Sequence, residues 1–370
     1  MKKGSIYTIA GCGKAGFEGD GGDAKSALLN EPKGITIDNK GNLYIADSEN
    51  CRVRFVNSKG VISAIAGSAS DENDEKKEDF GFKFQVELGE VPRKAGLDAG
   101  SIGDESAATL ATLRFLSALA RDKEGNIYIA DTFNHRVRKV DIKSGIITTI
   151  AGNGKDGFSG DDGPAVEASL SVPSGILLDQ ESNIYISDLR NNRIRKIDKA
   201  TGIIKTVAGN GEIGFEGDDG PAIEATMSNP SSIAMNKEGN IYIADTFNDR
   251  IRLLDVKTGI ITTAAGENDR YKMGQDDTSE KYLSRPYSIA LDSSENIYVT
   301  DSDNHLVRKI DSKTGDITNI AGNGKIGFAP DDSPANEASL NYPSGIAIDS
   351  KDNIYIADTF NHMIRKIKNN

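Results

Sequence analysis

The chain has 370 residues, a hydrophobic fraction of 37% and a net charge of −12. No apolar run of about 18 or more residues occurs, so we expect no membrane-spanning helix. The acidic balance argues against nonspecific binding to nucleic acid or anionic lipid, which requires a basic surface. Two cysteines, Cys12 and Cys51, are too few for a disulfide scaffold. We favour free thiols, and a single bridge between the two stays open as the alternative.

The chain starts Met-Lys-Lys-Gly-Ser-Ile-Tyr, without the apolar stretch of a signal peptide. Two locations stay open: the cytoplasm, or export as the mature domain of a longer protein. Residues 4–11 read Gly-Ser-Ile-Tyr-Thr-Ile-Ala-Gly, which matches Gly-Ile-Ile-Thr-Thr-Ile-Ala-Gly at residues 145–152. A glycine-bounded stretch that is rich in β-branched and aromatic residues predicts a strand.

A second phrase recurs six times: asparagine, a hydrophobic residue, tyrosine, a hydrophobic residue, a small residue and aspartate. The spacings between successive copies are 84, 57, 57, 56 and 57 residues. A period of this length predicts a repeat architecture, in which each unit covers the apolar faces of its neighbours. The closing aspartates are Asp47, Asp131, Asp188, Asp245, Asp301 and Asp358.

One complete unit spans residues 174–209 and contains four short segments rich in Ile, Val, Tyr and Thr. Because Gly, Asn, Asp or Ser bound these segments, they predict four strands, called a to d, in one antiparallel sheet. Apolar residues such as Val137 and Val140 lie on both alternating faces of strand c, which predicts neighbours on both sides of the sheet. This arrangement is typical of a propeller blade.

The last unit stops after strand c, at residues 361–367. We therefore expect the strand at residues 4–11 to complete that blade, close the ring and remove exposed edges. The predicted fold class is all-β: a six-bladed β-propeller of four-stranded antiparallel blades. It forms a single domain over residues 1–370, with an inserted loop at about 68–101 between blades 1 and 2.

The wording of the units resembles that of NHL repeats over almost the whole chain, apart from residues 68–99. Units read Pro-x-Gly-Ile and then Asn-Ile-Tyr-Ile-Ala-Asp-Thr-x-Asn-His-Arg-hydrophobe-Arg-Lys. The resemblance implies a six-bladed propeller but no single function, because the family includes ligand-binding domains, RNA binders, protein-interaction modules and at least one lyase. In the lyase branch, zinc-binding histidines enter near the start of strand a, where this chain has none. Lyase chemistry is therefore not carried over.

An arginine follows each of the six aspartates by seven residues. Across a tight hairpin between strands b and c, this separation places the two side chains opposite each other as an ion pair. A residue present in every blade serves the blade, so we expect these pairs to be structural. The arginines are Arg54, Arg138, Arg195, Arg252, Arg308 and Arg365.

The loops from strand d to the next strand a repeat an Asp-Asp-Gly-Pro-Ala motif, and two interpretations are open. An aspartate before Gly-Pro-Ala can cap a short helix whose first turn accepts proline, which we favour. Alternatively, the carboxylates bind calcium, although their spacing is not that of an EF-hand. The calcium candidates are Asp161, Asp162, Asp218, Asp219, Asp331 and Asp332.

One position of the b–c hairpin differs around the ring and holds all three histidines of the chain. It reads Cys51, His135, Asn192, Asp249, His305 and His362. Such groups can bind zinc or another transition metal, with His135, His305, His362 and Asp249 as ligands. We favour a structural role, because strand b lies about 4.8 Å outside the innermost strand. The ring of side chains is then much wider than a metal–ligand bond of about 2.0–2.3 Å.

Two d–a loops break the repeat. The loop into blade 2 has 36 residues from Gly67 to Gly103, against 8 from Gly152 to Gly160, and we expect its aromatic part to form a lid or a docking strand. The loop into blade 5 loses the Asp-Gly motif. Blades 2 and 5 face each other, and the d–a and b–c loops emerge at one end of the ring, called the loop face. The candidate binding residues there are Phe80, Phe82, Phe84, Arg270, Tyr271, Lys272, Arg285 and Tyr287.

No catalytic triad or Cys-His arrangement is recognisable. The sequence therefore favours a non-enzymatic, monomeric propeller that binds a protein, peptide or glycan at the loop face, with no cofactor expected. The alternative is a metal-dependent lyase or hydrolase that uses the histidines of the same face. RNA binding is third, because the net charge of −12 opposes it. Local positive charge is available from Arg52, Arg136, Arg193 and Arg250.

Overall fold

A computed structural model of the protein describes residues 1–68, 103–266 and 282–369. Within these ranges the regular structure consists of β-strands, and helical segments are limited to three-residue 3-10 turns. No helix in the described ranges is long and apolar enough to span a membrane.

The strands form six antiparallel sheets, each with strands a to d in order from the inside of the ring outward. In blades 3, 4 and 6 a two-residue strand pairs with strand d as a fifth member, and these strands are Gly163–Pro164, Gly220–Pro221 and Ser333–Pro334. Blade 1 comprises Pro32–Ile37, Leu43–Asp47, Arg52–Val56 and Ile62–Ala66. Blade 2 comprises Leu116–Arg121, Ile127–Asp131, Arg136–Val140 and Ile147–Ala151. Blade 3 comprises Pro173–Leu178, Ile184–Asp188, Arg193–Ile197 and Ile203–Ala208. Blade 4 comprises Pro230–Met235, Ile241–Asp245, Arg250–Asp255 and Ile260–Ala265. Blade 5 comprises Pro286–Leu291, Ile297–Asp301, Leu306–Ile310 and Ile317–Ala321. Blade 6 comprises Pro343–Ile348, Ile354–Asp358, Met363–Ile367 and, as strand d, Ser5–Ala10.

The N-terminal strand closes the ring. It pairs antiparallel with strand c of blade 6, with Ile6 opposite Ile367 and Thr8 opposite Arg365. The six inner strands contact one another in an unbroken circle, because the strand of blade 1 touches those of blades 2 and 6. The prediction of a six-bladed, all-β propeller closed by the N-terminal strand is therefore confirmed.

Each blade is apolar on both faces because it packs between two neighbours. Val140 lies in a cluster shared with Tyr44 and Val53 of blade 1, whereas Val137 packs with Ile176 of blade 3. Burial of this kind contributes roughly 25 cal/mol per Å² of apolar surface, and it requires both neighbours to be in place. The core is therefore a ring of interfaces between the blades.

The repeated Asp–Arg pairs lie inside the blades, as predicted. Their N–O distances run from 2.6 Å in blade 5 to 3.6 Å in blade 6. In blade 3 the Asp188 carboxylate also accepts bonds from the Ser171 N–H at 2.7 Å and from Asn191 Nδ2 at 2.8 Å. Each carboxylate therefore ties together the entry to strand a, the b–c turn and strand c.

The predicted capping of the 3-10 turns by the loop aspartates is wrong in the loops into blades 3 and 6, including for Asp162 and Asp332, which directly precede the Gly-Pro and Ser-Pro pairs. The 3-10 turns Ala165–Glu167 and Ala335–Glu337 follow prolines and have no side-chain cap. Asp161 instead lies 2.7 Å from Arg195 Nη2 and accepts a hydrogen bond from Thr206. A buried guanidinium has five N–H donors, and a second carboxylate partner satisfies donors that one aspartate cannot reach.

Candidate functional site

The b–c hairpin of every blade turns through one residue with a left-handed backbone. The φ angles at this position lie between 50° and 56°. His135 Nδ1 accepts a hydrogen bond from the Val172 N–H of the next blade at 3.2 Å, and His305 Nδ1 accepts one from Tyr342 at 3.1 Å. The position therefore links neighbouring blades.

The same bond occurs at the other blade junctions with a different acceptor. His362 Nδ1 accepts from the Glu31 N–H at 3.2 Å. Asn192 Oδ1 and Asp249 Oδ1 accept from the following blades at 2.9 Å. The Cys51 thiol accepts from the backbone of Phe115, while burial raises the pKa of that thiol. Imidazole, amide, carboxylate and thiol all supply the one acceptor that the junction needs.

The structure does not bring His135, His305, His362 and Asp249 together, because they belong to separate blades and each already accepts an N–H. Burial lowers the pKa of the three histidines, which keeps the imidazoles neutral and their Nδ1 atoms able to accept. Across residues 1–68, 103–266 and 282–369, no group of three or more His, Cys, Asp or Glu side chains could hold a metal ion.

The loop aspartates considered as calcium ligands have structural roles in their loops. Some pair with a buried arginine, and others adopt the left-handed backbone conformation of the turn. Asp218 and Asp331 pair with Arg252 and Arg365, at 2.7 and 3.9 Å. Asp162, Asp219 and Asp332 lie in the left-handed region, with φ of 61°, 62° and 71°. Asp332 accepts a hydrogen bond from the Tyr7 hydroxyl at 2.6 Å.

Two rings of positions on the loop face differ from blade to blade. The residue before strand a is Glu31, Phe115, Val172, Asn229, Arg285 or Tyr342. The middle residue of the b–c turn is Glu49, Phe133, Arg190, Phe247, Asp303 or Phe360. Because the hydrogen bonds of these turns are made by backbone atoms, their side chains are free to vary without loss of the blade.

These variable side chains form contacts within neighbouring pairs. Phe115 stacks on Phe133 with ring centroids 4.6 Å apart. The Arg285 guanidinium lies 5.0 Å from the centre of the Phe247 ring, and its Nε is 3.2 Å from Asp303 Oδ2. Burial raises the pKa of the Asp303 carboxyl. The result is a set of aromatic and charged clusters around the axis.

The axis itself is lined by the residue that follows the first position of strand a. This ring reads Lys33, Ser117, Ser174, Ser231, Tyr287 and Ser344. The serines and Tyr287 line a cavity of about 110 Å³. The Lys33 ammonium lies 5.1 Å from the Phe115 ring centre and 6.0 Å from that of Tyr287.

Two of the eight binding residues predicted from sequence fall in the described ranges. Arg285 lies in the cluster with Phe247 and Asp303, and Tyr287 lines the axial cavity. The other six, Phe80, Phe82, Phe84, Arg270, Tyr271 and Lys272, lie outside the described residues. Sequence reasoning missed Lys33. The signal was available, because four of the six equivalent positions are serine and Lys33 and Tyr287 are the exceptions.

Comparison with known proteins agrees with this architecture. Residues 283–310 and 340–367 match a model of the NHL repeat, and residues 12–78 match a model of the teneurin NHL domain. The chloroplastic protein SUPPRESSOR OF QUENCHING 1 of Arabidopsis thaliana is 31% identical over 257 residues, which are 66% of this chain and 24% of that protein. Human NHL repeat-containing protein 2 is 27% identical, over 78% of this chain and 40% of its own length. This chain thus spans well under half of either relative.

Solved structures show the same fold at low identity. A Bacteroides thetaiotaomicron protein of unknown function aligns with a TM-score of 0.66 and 16% identity, covering 98% of this chain and 75% of the other. A gluconolactonase from Xanthomonas campestris aligns with a TM-score of 0.56 and 11% identity, covering 98% and 88%. At these identities the likeness concerns the fold alone. With six blades, a closing N-terminal strand and matching repeat models, the chain belongs to the NHL-repeat family of β-propellers.

Proposed function

We propose that this protein is a non-enzymatic binding module that presents its loop face to a protein, peptide or glycan. The observation that carries the proposal is the contrast between two classes of position. The Asp–Arg pair recurs in every blade and is buried, whereas the two loop-face rings change at almost every blade. The fold requires the first class in every blade, whereas it places no such requirement on the second class, whose side chains are therefore available for ligand recognition.

The side-chain types at the loop face suit recognition. The half-buried rings of Phe133 and Phe247 provide flat apolar surface, with Phe133 stacked on the buried Phe115, and Arg285 provides a planar set of donors held over Phe247. Aromatic residues and arginine dominate the residues that contribute most to binding at known interfaces. Arg285 is also positioned by the Asp303 carboxylate, which reduces the conformational freedom that binding would otherwise remove.

The test is a screen of the purified protein against peptide and glycan arrays, followed by titration of the best ligand. We expect Arg285→Ala and Phe133→Ala to weaken that ligand by roughly tenfold or more, the usual loss at an energetically important contact. Lys237→Ala is the matched control, because this exposed lysine lies among the a–b and c–d loops at the opposite end of the ring. If the affinity for the ligand falls in Lys237→Ala and not in Arg285→Ala, binding takes place at the other end of the ring and the proposal is refuted.

A further inference from the structure

Lys33 is the one side chain whose charge lies at the axis of the propeller in the described ranges. Its ammonium is close to a ring from blade 2, Phe115, and a ring from blade 5, Tyr287. Blades 2 and 5 face each other across the circle of inner strands. A group within contact range of both therefore lies near the axis, at the loop-face end of the channel.

This ammonium is buried without a protein counter-charge. Lys33 is only 6% exposed, yet within the described ranges it forms no ion pair. The two aromatic faces attract the cation but accept none of its three N–H bonds in the way that an oxygen does. A buried charge is normally paired, because removal from water is costly, so the site is incomplete without an anion.

The surrounding wall is neutral. Ser174 Oγ donates to the Ser231 carbonyl at 2.9 Å, and Ser231 Oγ donates to the Tyr287 carbonyl at 2.6 Å. Ser117 Oγ forms a hydrogen bond with Thr132 Oγ1 at 2.9 Å. These hydroxyls contribute lone pairs and dipoles but no charge, so Lys33 is the charged member of the axial ring.

We propose that Lys33 anchors a carboxylate group of the ligand at the loop-face end of the channel. The inference rests on the proposed function and names the chemistry of its central contact. Lys33 does not itself line the axial cavity of about 110 Å³, but the next residue, Gly34, does, and so does Tyr287, whose ring faces the Lys33 ammonium. Against about 30 Å³ for one water in the liquid, this neighbouring space admits an acidic group and little more. A phosphate is less suited, because it carries close to two negative charges at neutral pH and the axial ring presents one ammonium and no clustered backbone N–H groups to balance them.

The test is a ligand-observed NMR titration at constant ionic strength with two pairs of probes. One pair is triglycine and its C-terminal amide, and the other is glucuronate and glucose. We expect at least one acid to bind ten or more times more tightly than its neutral partner, and the preferred acid distinguishes a peptide terminus from an acidic sugar. Lys33→Met is expected to abolish the difference, while Lys33→Arg retains part of it.

Lys123→Met is the matched control, since it removes the same charge from an exposed site at the opposite end of the ring. If it reduces acid binding as much as Lys33→Met does, the effect is general electrostatics and the anchor is refuted. If acid and neutral probes bind equally, or if Lys33→Met lowers only the melting temperature, Lys33 is a structural plug. If the carboxylate anchor is refuted but ligands from the arrays still bind at the loop face, the proposed binding function is retained. If neither the arrays nor the NMR titration detects binding at the loop face, both proposals are refuted.

Discussion

Arg195 shows how one buried side chain holds several parts of a blade. Its guanidinium lies 3.2 Å from Asp188 of strand b and 2.7 Å from Asp161 of the incoming d–a loop. The ring of Phe158 covers it, with 4.8 Å between the guanidinium carbon and the ring centre. The two carboxylates differ in exposure, 0% for Asp188 and 31% for Asp161. Their contributions to stability should differ accordingly.

We expect Arg195→Met to lower the free energy of unfolding by about 3–5 kcal/mol, because it leaves the Asp188 carboxylate buried and uncompensated. Asp161→Ala should cost only about 1 kcal/mol, since its partly exposed pair is screened by solvent. Urea unfolding followed by circular dichroism measures both. Lys205→Met, at an exposed site of the same blade, is the control. Equal losses for Arg195→Met and Lys205→Met would contradict the structural role of the pair.

The histidines make a pH-dependent prediction. Their pKa values are lowered by burial, so the unfolded chain binds protons more readily than the folded chain. Their contribution to stability is therefore complete above the unfolded pKa of about 6.5 and is lost as the pH falls through the lower folded value. Protonation also removes the Nδ1 acceptor of the blade junction.

Asparagine supplies the same acceptor without titrating, as Asn192 does in blade 3. We expect a variant that combines His135→Asn, His305→Asn and His362→Asn to fold at pH 7 and to lose less stability than the parent between pH 7 and pH 5. Urea unfolding at each pH gives the comparison. An identical pH dependence in the two proteins would contradict the acceptor role, as would bound metal that disappears in the variant.

At the residue scale, the sequence predicted the interactions that recur in every blade. It failed for side chains that could bond either to a nearby turn or to a residue distant in sequence. The Asp–Arg pairs followed from a fixed separation of seven residues. The aspartate before Gly-Pro-Ala was assigned to a cap because local rules favour it, but the turn Ala165–Glu167 has no side-chain cap, and the preceding Asp161 satisfies a buried guanidinium that is distant in sequence. The histidines were recognised as one position, yet the N–H that each accepts comes from the next blade, which no local pattern reveals.

Neighbouring blades are also joined by hydroxyl groups. The first residue of the b–c turn donates from its side chain to the first carbonyl of the next inner strand, as Thr246 does to Pro286 at 2.9 Å. Blade 3 has Leu189 at this place, and Ser174 compensates by donating to Ser231 O at 2.9 Å. The equivalent donors are Ser48, Thr132, Ser302 and Thr359.

Thr246→Val keeps the shape of the side chain and removes the hydroxyl. Because the buried Pro286 carbonyl and Ser231 hydroxyl both lose their hydrogen bond to Thr246, we expect a loss of about 1–3 kcal/mol in the free energy of unfolding. The control is Thr318→Val at an exposed position of a strand, with an expected change within about 0.5 kcal/mol. Thermal or urea unfolding of the three proteins is sufficient. If Thr246→Val leaves the free energy of unfolding unchanged, water or another group replaces the hydroxyl.

On the scale of the molecule, closure of the ring depends on a strand from one terminus. The Gly4 N–H donates to the Lys368 carbonyl at 3.1 Å, so the two ends of the propeller meet between strands c and d of blade 6. The corresponding place in blade 3 lies between Ala200 and Thr201. Opening the chain there would recreate the same type of closure in another blade.

A circular permutant that joins residue 370 to residue 1 through a short Gly-Ser linker and opens between Ala200 and Thr201 should melt within about 4 °C of the parent, a change of roughly 1 kcal/mol. A second permutant, opened between Gly154 and Lys155, has no strand across its seam and should melt at a clearly lower temperature. Differential scanning calorimetry compares them. If both melt alike, the shared blade is not what holds the ring closed.

The architecture of the whole molecule was predictable because the same sequence pattern recurs in all six blades. A strand that is hard to assign in one copy can be assigned by comparison with the other five. The arrangement of the loop face was harder to predict, because it consists of positions at which the residue differs from blade to blade. Tyr287 and Arg285 were found through an irregular loop, whereas Lys33 sits in a regular blade. Its importance depends on the convergence of six strands at the axis, which appears only in three dimensions.

The central claim is that the loop face, and no other surface, receives the ligand. Hydrogen–deuterium exchange of the protein with and without the best array ligand tests this most directly. We predict slower exchange in the d–a and b–c segments around residues 112–116, 132–135 and 284–288. Slower exchange confined to the opposite end, around residues 121–126 and 236–240, would contradict the account.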